Sequence, residues 1–540
     1  MGRLGTTQPP AAPILRPRFG RLALALGDWH SPWAIGTRRR AGPRLAQGRA
    51  DNYHRPPRNN DAPFGELMLK VLLPTAACLM MTASVEALAA GDTGEAAFRD
   101  LYKELVETNT TLSSGSCTLA AERMAAHLKA AGMPDSDLHP FAAPDHPQEG
   151  GLVAVYPGRD PKLKAVLLLA HIDVVEAKRE DWTRDPFKLM EENGTFYARG
   201  SIDDKAEAAI WVDTLVRFRE EHYRPRRTIK LALTCGEETA GAFNGAEWLV
   251  AHERDLIDAE FAVNEGATGE LDAEGHRVLL EIQAGEKTAQ NFRLEVTNTG
   301  GHSSRPVKDN AIYRLAAALL RIQSYEFPAQ FTDANRAYFV GMAAIQAARG
   351  NADVADAMRS LAKDPNDTAA IELVSSKDPS WNATLRTTCV ATMLDGGHAT
   401  NALPQRARAN INCRIFPGVS AETVRAKLEE LVADPAVKVT TLETRGPSSP
   451  PPPMTRQIIG PVEKLAAEMF PGVPVVPILQ PGATDGQFLN AAGIPTYGIE
   501  PLFVGADLGH IHGLNEYVSV QSLLDCRNFL YRLVKIYSQP

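Results

Sequence analysis

Residues 165–173 read Ala165-Val166-Leu167-Leu168-Leu169-Ala170-His171-Ile172-Asp173, six apolar residues running straight into a histidine, with an aspartate two places on. A run this short and this continuously apolar predicts a strand buried on both faces, as in a parallel sheet covered by helices. The arrangement recurs along the chain. Ile229-Lys230-Leu231-Ala232-Leu233-Thr234 leads to Glu237-Glu238, and Ala259-Glu260-Phe261-Ala262-Val263 leads to Asn264-Glu265. Strands alternating with helical patterns up to about residue 286 predict a largely parallel sheet with helices on it. In such sheets the crevice beyond the carboxyl ends of the strands is where ligands bind.

Two further motifs complete the series: Asp203-Asp204, and a late His512 in Ile511-His512-Gly513-Leu514-Asn515-Glu516. Imidazoles and carboxylates together suit a pair of borderline-hard divalent cations, zinc first, with cobalt or manganese as alternatives. The donor set predicts metal-assisted hydrolysis. His171 is expected to bind one cation through a ring nitrogen, with Asp173 accepting the other ring N–H and fixing the tautomer. A carboxylate such as Asp203 has two oxygens and can bridge two cations. Adjacent Glu237 and Glu238 cannot share one geometry and so need different tasks.

In this order the motifs HxD, DDK, GEE, NEG and HGxNE resemble the co-catalytic di-zinc peptidases that include glutamate carboxypeptidase, aminoacylase, carnosinase and succinyl-diaminopimelate desuccinylase. Gly300-Gly301-His302-Ser303-Ser304 and Ile511-His512-Gly513 look most like the carboxypeptidase S branch. The likeness covers roughly residues 96–538. It implies a three-layer α/β/α catalytic domain (95–286 and 448–540) interrupted by an α+β lid (287–447), a four-stranded sheet with two helices. By the same resemblance Asp203 is the bridging ligand and its peptide bond to Asp204 is cis. Glu265 joins His171 on one cation, Glu238 joins His512 on the other, and Glu237 is the general base. His510 is the rival for His512. His302 would donate to the scissile carbonyl oxygen, across a homodimer in dimeric relatives. Asn401 and Arg414 would grip the substrate's free carboxylate, and the loop at Gly482 would complete that pocket.

The reaction implied is exopeptidase cleavage, by a carboxypeptidase or dipeptidase, of an amide beside a free carboxylate. An N-acyl-amino-acid deacylase is the alternative, and a non-catalytic binding protein on the same scaffold a remoter one. No Gly-x-Ser-x-Gly elbow follows a strand, which argues against a serine hydrolase.

Within the lid the helices are expected near 309–323 and 420–433, with the long polar span between His302 and Leu385 forming a helical insertion. Arg445 to Pro453, rich in proline, make a stiff linker back to the catalytic domain. Residues 1–67 hold eleven Arg and no Lys against four acids, and leave about −15 on the remainder of a chain whose net charge is −8. So acidic a body offers no basic stripe for nucleic acid. Met68-Leu69-Lys70, an apolar run to Ala83, and Ala87-Leu88-Ala89 form a signal-peptide pattern over 68–89. Met68 is therefore read as the true start, with 1–67 a mistranslated or disordered leader, and the mature chain as periplasmic or secreted. No later apolar run is long enough to span a bilayer. Five cysteines follow the signal. Cys389 and Cys413 lie on strands that could be adjacent, but buried free thiols are the expectation for all five.

Overall fold

The computed structural model describes residues 93–539 except 240, 241 and 445, so the leader and signal segment lie outside the described residues. The Phe98, Leu101 and Leu105 spacing yields the helix Thr93–Glu107, and Ser116 caps Cys117–Ala130 by accepting from the Leu119 amide.

Ten strands form the central sheet, in the order 138–141, 151–156, 229–234, 166–171, 261–264, 496–498, 277–286, 269–271 and 503–504, with 475–480 parallel to 277–286. The sheet is mixed, which corrects the largely parallel expectation. Parallel pairing holds where 166–171 meets 229–234 and 261–264, and where 261–264 meets 496–498. Short connections at 142–150 and 272–276 return the chain antiparallel instead, because a parallel return needs a crossover of a dozen residues or more.

The strand 166–171 shows why three layers form. Val166, Leu168 and Ala170 pack with Phe98, Trp211, Phe218 and Phe529 of the helices on one face. Leu167 and Leu169 pack with Ala246, Leu249 and Phe488 on the other. With a side-chain period of two, an unbroken apolar run serves both cores at once.

The second sheet is antiparallel, in the order Thr388–Gly396, Arg406–Ile415, Thr288–Thr297, Val437–Thr444. Ala311–Gln323 and Ala421–Val432 cover one face, burying Leu315, Val424 and Leu428 on Ala409, Ile411 and Cys413. Four helices between Asp333 and Leu385 form the insertion. Their apolar side, including Phe339, Met358 and Leu361, is buried with Leu279 and Val476 of the central sheet. The sequence reading gave this segment to the lid; its core is shared with the catalytic sheet.

Free thiols are also corrected. Cys117 pairs with Cys235 and Cys389 with Cys413, leaving Cys526 free and buried. Among the described residues no helix is long and apolar enough to cross a membrane.

Candidate metal centre

His171 ends its strand level with Thr234 in the neighbouring strand, so the segments that follow both strands open into one crevice. Its Nε2 lies 3.1 Å from Asp203 Oδ1 and 3.7 Å from Glu265 Oε1. His512 Nε2 lies 3.1 Å from Asp203 Oδ2 and 2.8 Å from Glu238 Oε2. Each oxygen of Asp203 thus faces a different imidazole. Two sets of potential ligand atoms, from His171, Glu237 and Glu265 and from His171, Asp203 and Glu238, each fall within 4.8 Å of one another. Distance alone does not set Glu237 apart from the others. His510 turns away to Asp507, at 3.2 Å, and to the Leu514 carbonyl.

The positions of these groups are fixed by buried partners. The Asp203–Asp204 peptide is cis. Glu516, almost wholly buried, accepts from Arg199 Nη1 at 2.6 Å and from the amides of Gly200, Ile202 and Asp203. It ties the whole turn that carries Asp203. Asp173 does something other than expected. His171 Nδ1 lies 3.1 Å from the Asp173 backbone carbonyl and 3.6 Å from its carboxylate. The carboxylate keeps that contact with the ring and also accepts from the amides of Glu237 at 3.3 Å and Glu238 at 3.1 Å. Backbone, not side chain, is the nearer partner of the ring, and the side chain holds the Glu237-Glu238 turn.

The electrostatics follow from crowding. Burial raises the pKa of Glu237 and Glu265 well above the usual carboxylate range, and burial with Asp203 raises Glu238. Burial would lower His171, but Asp173, Asp203 and Glu265 outweigh it and raise it. Asp203 is held below its usual range because the two imidazoles outweigh its burial. Contacts with Asp203 and Glu238 push His512 up to about 10. Groups that hold protons this tightly face a strongly negative crevice, which two dications would neutralise. Imidazole nitrogens and carboxylate oxygens converging on one bridging carboxylate are a donor set that fits such a pair.

The remaining predicted residues lie in and around the lid. Gly301–His302 pairs with Ala402–Leu403, and the Ser303 amide donates to the Asn401 carbonyl, which brings His302 and Asn401 together. His302 is exposed, and its Nδ1 accepts from the amide and hydroxyl of Ser304. Arg414 stands across from Ala289 and Thr388, at the lid end nearest the central sheet. Close by, burial and Arg414 push the Lys287 ammonium down to about 7; its Nζ is held by the Ala383 and Arg386 carbonyls. Gly482 is half-buried in a loop whose Gln480 donates to the Gly266 carbonyl and whose Thr484 accepts from Asn264.

Sequence reasoning did not assign roles to Arg199, Glu516 or Asp485, although Arg199 stands four residues before Asp203, Glu516 four after His512 and Asp485 three after Gly482. For Arg199 and Glu516 the signal was a charged residue too close in sequence to Asp203 or His512 to be solvated.

A mixed α/β sheet whose strand ends gather this donor set defines a hydrolase that works through bound metal. The model described as Peptidase family M20/M25/M40 matches residues 167–536, and the chain belongs to that family. It is a metal-dependent hydrolase of the exopeptidase and amidohydrolase kind. The N-fatty-acyl-amino acid synthase/hydrolase of Mus musculus is 30% identical over 407 residues, spanning 71% of this chain and 76% of its own. The probable carboxypeptidase S-like 2 of Dictyostelium discoideum is 26% identical over 396 residues, spanning 71% and 74%. Among solved structures, the M20 family metallo-carboxypeptidase Sso-CP2 of Sulfolobus solfataricus matches with a TM-score of 0.62 at 17% identity, over 82% of this chain and 99% of its own. Human carnosine dipeptidase 1 matches with a TM-score of 0.53 at 16% identity, over 83% and 97%. These two share the fold.

Proposed function

We propose that the protein hydrolyses an amide bond beside a free carboxylate, through two zinc ions held by His171 and Glu265, by His512 and Glu238, and by Asp203 between them. The observation that carries this reading is the Asp203 carboxylate, with one oxygen toward each imidazole at 3.1 Å. Bound zinc would polarise the scissile carbonyl and make water nucleophilic near neutral pH. Glu237 takes a proton from the attacking water and delivers it to the leaving nitrogen, so amide and water become carboxylic acid and amine. Asp173 holds the Glu237 and Glu238 amides and so sets the turn on which both carboxylates stand. His302 donates to the developing oxyanion. Arg414 and Asn401 hold the substrate carboxylate, with the Gly482 loop closing that pocket; a guanidinium does this bidentately.

The substrate class favoured is an N-acyl amino acid. The relative at 30% identity is named for N-fatty-acyl amino acids, and aminoacylases also match. Peptide cleavage is the second reading, supported by the carboxypeptidase S-like relative. The lid supports pairing with a second copy. Val390, Met393 and Leu394 lie exposed on its edge strand, with Ile312, Tyr313 and Leu320 exposed on the helix beside it. The signal pattern at 68–89 supports export to the periplasm or beyond.

The test is turnover of N-acyl amino acids, dipeptides and their carboxamides by the zinc-loaded enzyme expressed from Met68. Cleavage of either free-acid class with a stoichiometry of two metals supports the reading. Full activity with no bound metal overturns it.

A further inference from the structure

Asp485 is almost wholly buried and lies outside the donor set, yet it touches both arms of the loop that carries Glu237 and Glu238. One carboxylate oxygen accepts from Thr234 Oγ1 at 2.8 Å, on the arm entering the loop. The other accepts from Asn244 Nδ2 at 2.7 Å, on the arm leaving it. The same Asn244 amide reaches the Gly236 carbonyl at 3.3 Å, and Asn244 Oδ1 caps the helix Gly245–His252 by accepting from Glu247. Between the arms the Gly245 amide donates to the Cys235 carbonyl at 2.7 Å. The two arms come so near that a Cβ on Gly236, at φ +93°, would stand 1.7 Å from the Phe243 carbonyl oxygen. The neck of the loop is therefore closed, and among the described residues Asp485 is the carboxylate that bonds to both of its sides.

We propose that Asp485 is a positioning residue for Glu237, acting by clamping this neck, a role that rests on Glu237 being the general base. A carboxylate bonded to one arm would leave the loop free to open. Bonded to both, it fixes the distance between Thr234 and Asn244, and with it the direction from which Glu237 enters the crevice. A general base displaced by about 1 Å loses much of its effect while substrate and metal still bind. The Asp173 carboxylate takes the amides of both Glu237 and Glu238, and the Glu238 side chain alone has a further hold, on His512. Loosening the neck therefore acts on kcat before it acts on metal content.

The experiment compares Asp485→Ala, Asp485→Asn and Asn244→Ala with the unaltered zinc enzyme, reading kcat, KM, metal stoichiometry and Tm. The expected result is a fall in kcat of about tenfold or more for Asp485→Ala and Asn244→Ala, with KM within about twofold and two metals retained. Asp485→Asn recovers most of kcat, because its amide oxygen still accepts from Asn244 and its NH2 donates to Thr234. Asn244 is only half-buried, so its alanine variant folds and keeps the test open should Asp485→Ala not accumulate. Undiminished kcat in Asn244→Ala, or loss of activity only in proportion to lost metal, overturns the proposal. Glu237→Gln measured alongside separates the two claims. An active Glu237→Gln enzyme removes the base assignment itself; an inactive one beside a fully active Asn244→Ala removes only the clamp.

Discussion

Glu516 and Arg199 meet at 2.6 Å in a site almost closed to solvent, and the same Glu516 carboxylate takes three backbone amides of the turn ending in Asp203. The ion pair is thus part of the frame of the metal centre, although neither residue faces the crevice as a ligand. Glu516→Ala leaves a buried guanidinium and three amides without their acceptor. Breaking such a pair costs about 3–5 kcal/mol. Denaturant unfolding of the metal-loaded protein should show a loss of that order, together with weaker metal retention at dialysis. Unchanged stability would mean that water replaces the carboxylate without cost.

Glu237 and Glu238 should separate by what they lose. Glu237→Ala is expected to keep two metals and lose most of kcat; Glu238→Ala is expected to lose metal at the His512 side. Elemental analysis beside kinetics decides it. The reverse pattern would exchange their roles, which the distances leave open.

The metal-free protein should show two opposite pH trends. His512 binds a proton more tightly folded than unfolded, because Asp203 and Glu238 face it, with its folded pKa pushed up to about 10. Its proton therefore stabilises the fold fully below the unfolded value, about 6.5, and that contribution is lost as pH rises through about 10. Tm of the apo protein should fall across this window. Metal affinity should rise across it, because ligation requires the same proton to leave. Apo and metal-loaded melts at a series of pH values between these limits would show whether the trends diverge. Parallel trends would mean that His512 is not the group being displaced.

Part of the centre was legible because His171, Glu238 and Glu265 come just after strands, and an apolar run followed by His or Glu is a local signal. His171, Asp203, Glu238, Glu265 and His512 do converge in space. What escaped was information carried by distance between remote segments. Two residues from His171, Asp173 is expected on that ring, and its carboxylate lies 3.6 Å from it, but it also takes the amides of the remote turn at Glu237 and Glu238. The helices of 333–385 are polar enough to suggest a free-standing insertion, yet Leu279 and Val476 give them an apolar seat. Cys117 and Cys235, 118 residues apart, carry no local sign of pairing, whereas Cys389 and Cys413 fall on strands that could be adjacent and do pair.

That last miss gives a stability prediction. Cys117 and Cys235 are 118 residues apart and Cys389 and Cys413 are 24 apart. On loop entropy alone, opening the longer cross-link costs roughly 1–1.5 kcal/mol more than opening the shorter. Cys117→Ser should therefore lower Tm more than Cys389→Ser. It should also touch activity, because Cys235 begins the loop of Glu237, whereas Cys389 lies in the lid. Equal kcat values for the two variants would show that the cross-link serves stability alone.

The substrate should need its free carboxylate. Arg414 projects from a lid strand across from Ala289 and Thr388, and Lys287 lies near enough for Arg414 to depress its ammonium. The Arg414 guanidinium favours an anion at the lid end nearest the central sheet. On the proposed reading the acid group of the substrate lies at the lid while its amide meets the metals. Converting that carboxylate to a carboxamide leaves the guanidinium without its bidentate partner, so kcat/KM should fall by about 100-fold or more. Arg414→Ala should erase this preference and lower turnover of the free acid toward that of the amide, with metal content unchanged. If the unaltered enzyme turns over acid and carboxamide equally, both the N-acyl-amino-acid and the carboxypeptidase readings fall together. What would remain is a hydrolase that anchors the other end of its substrate.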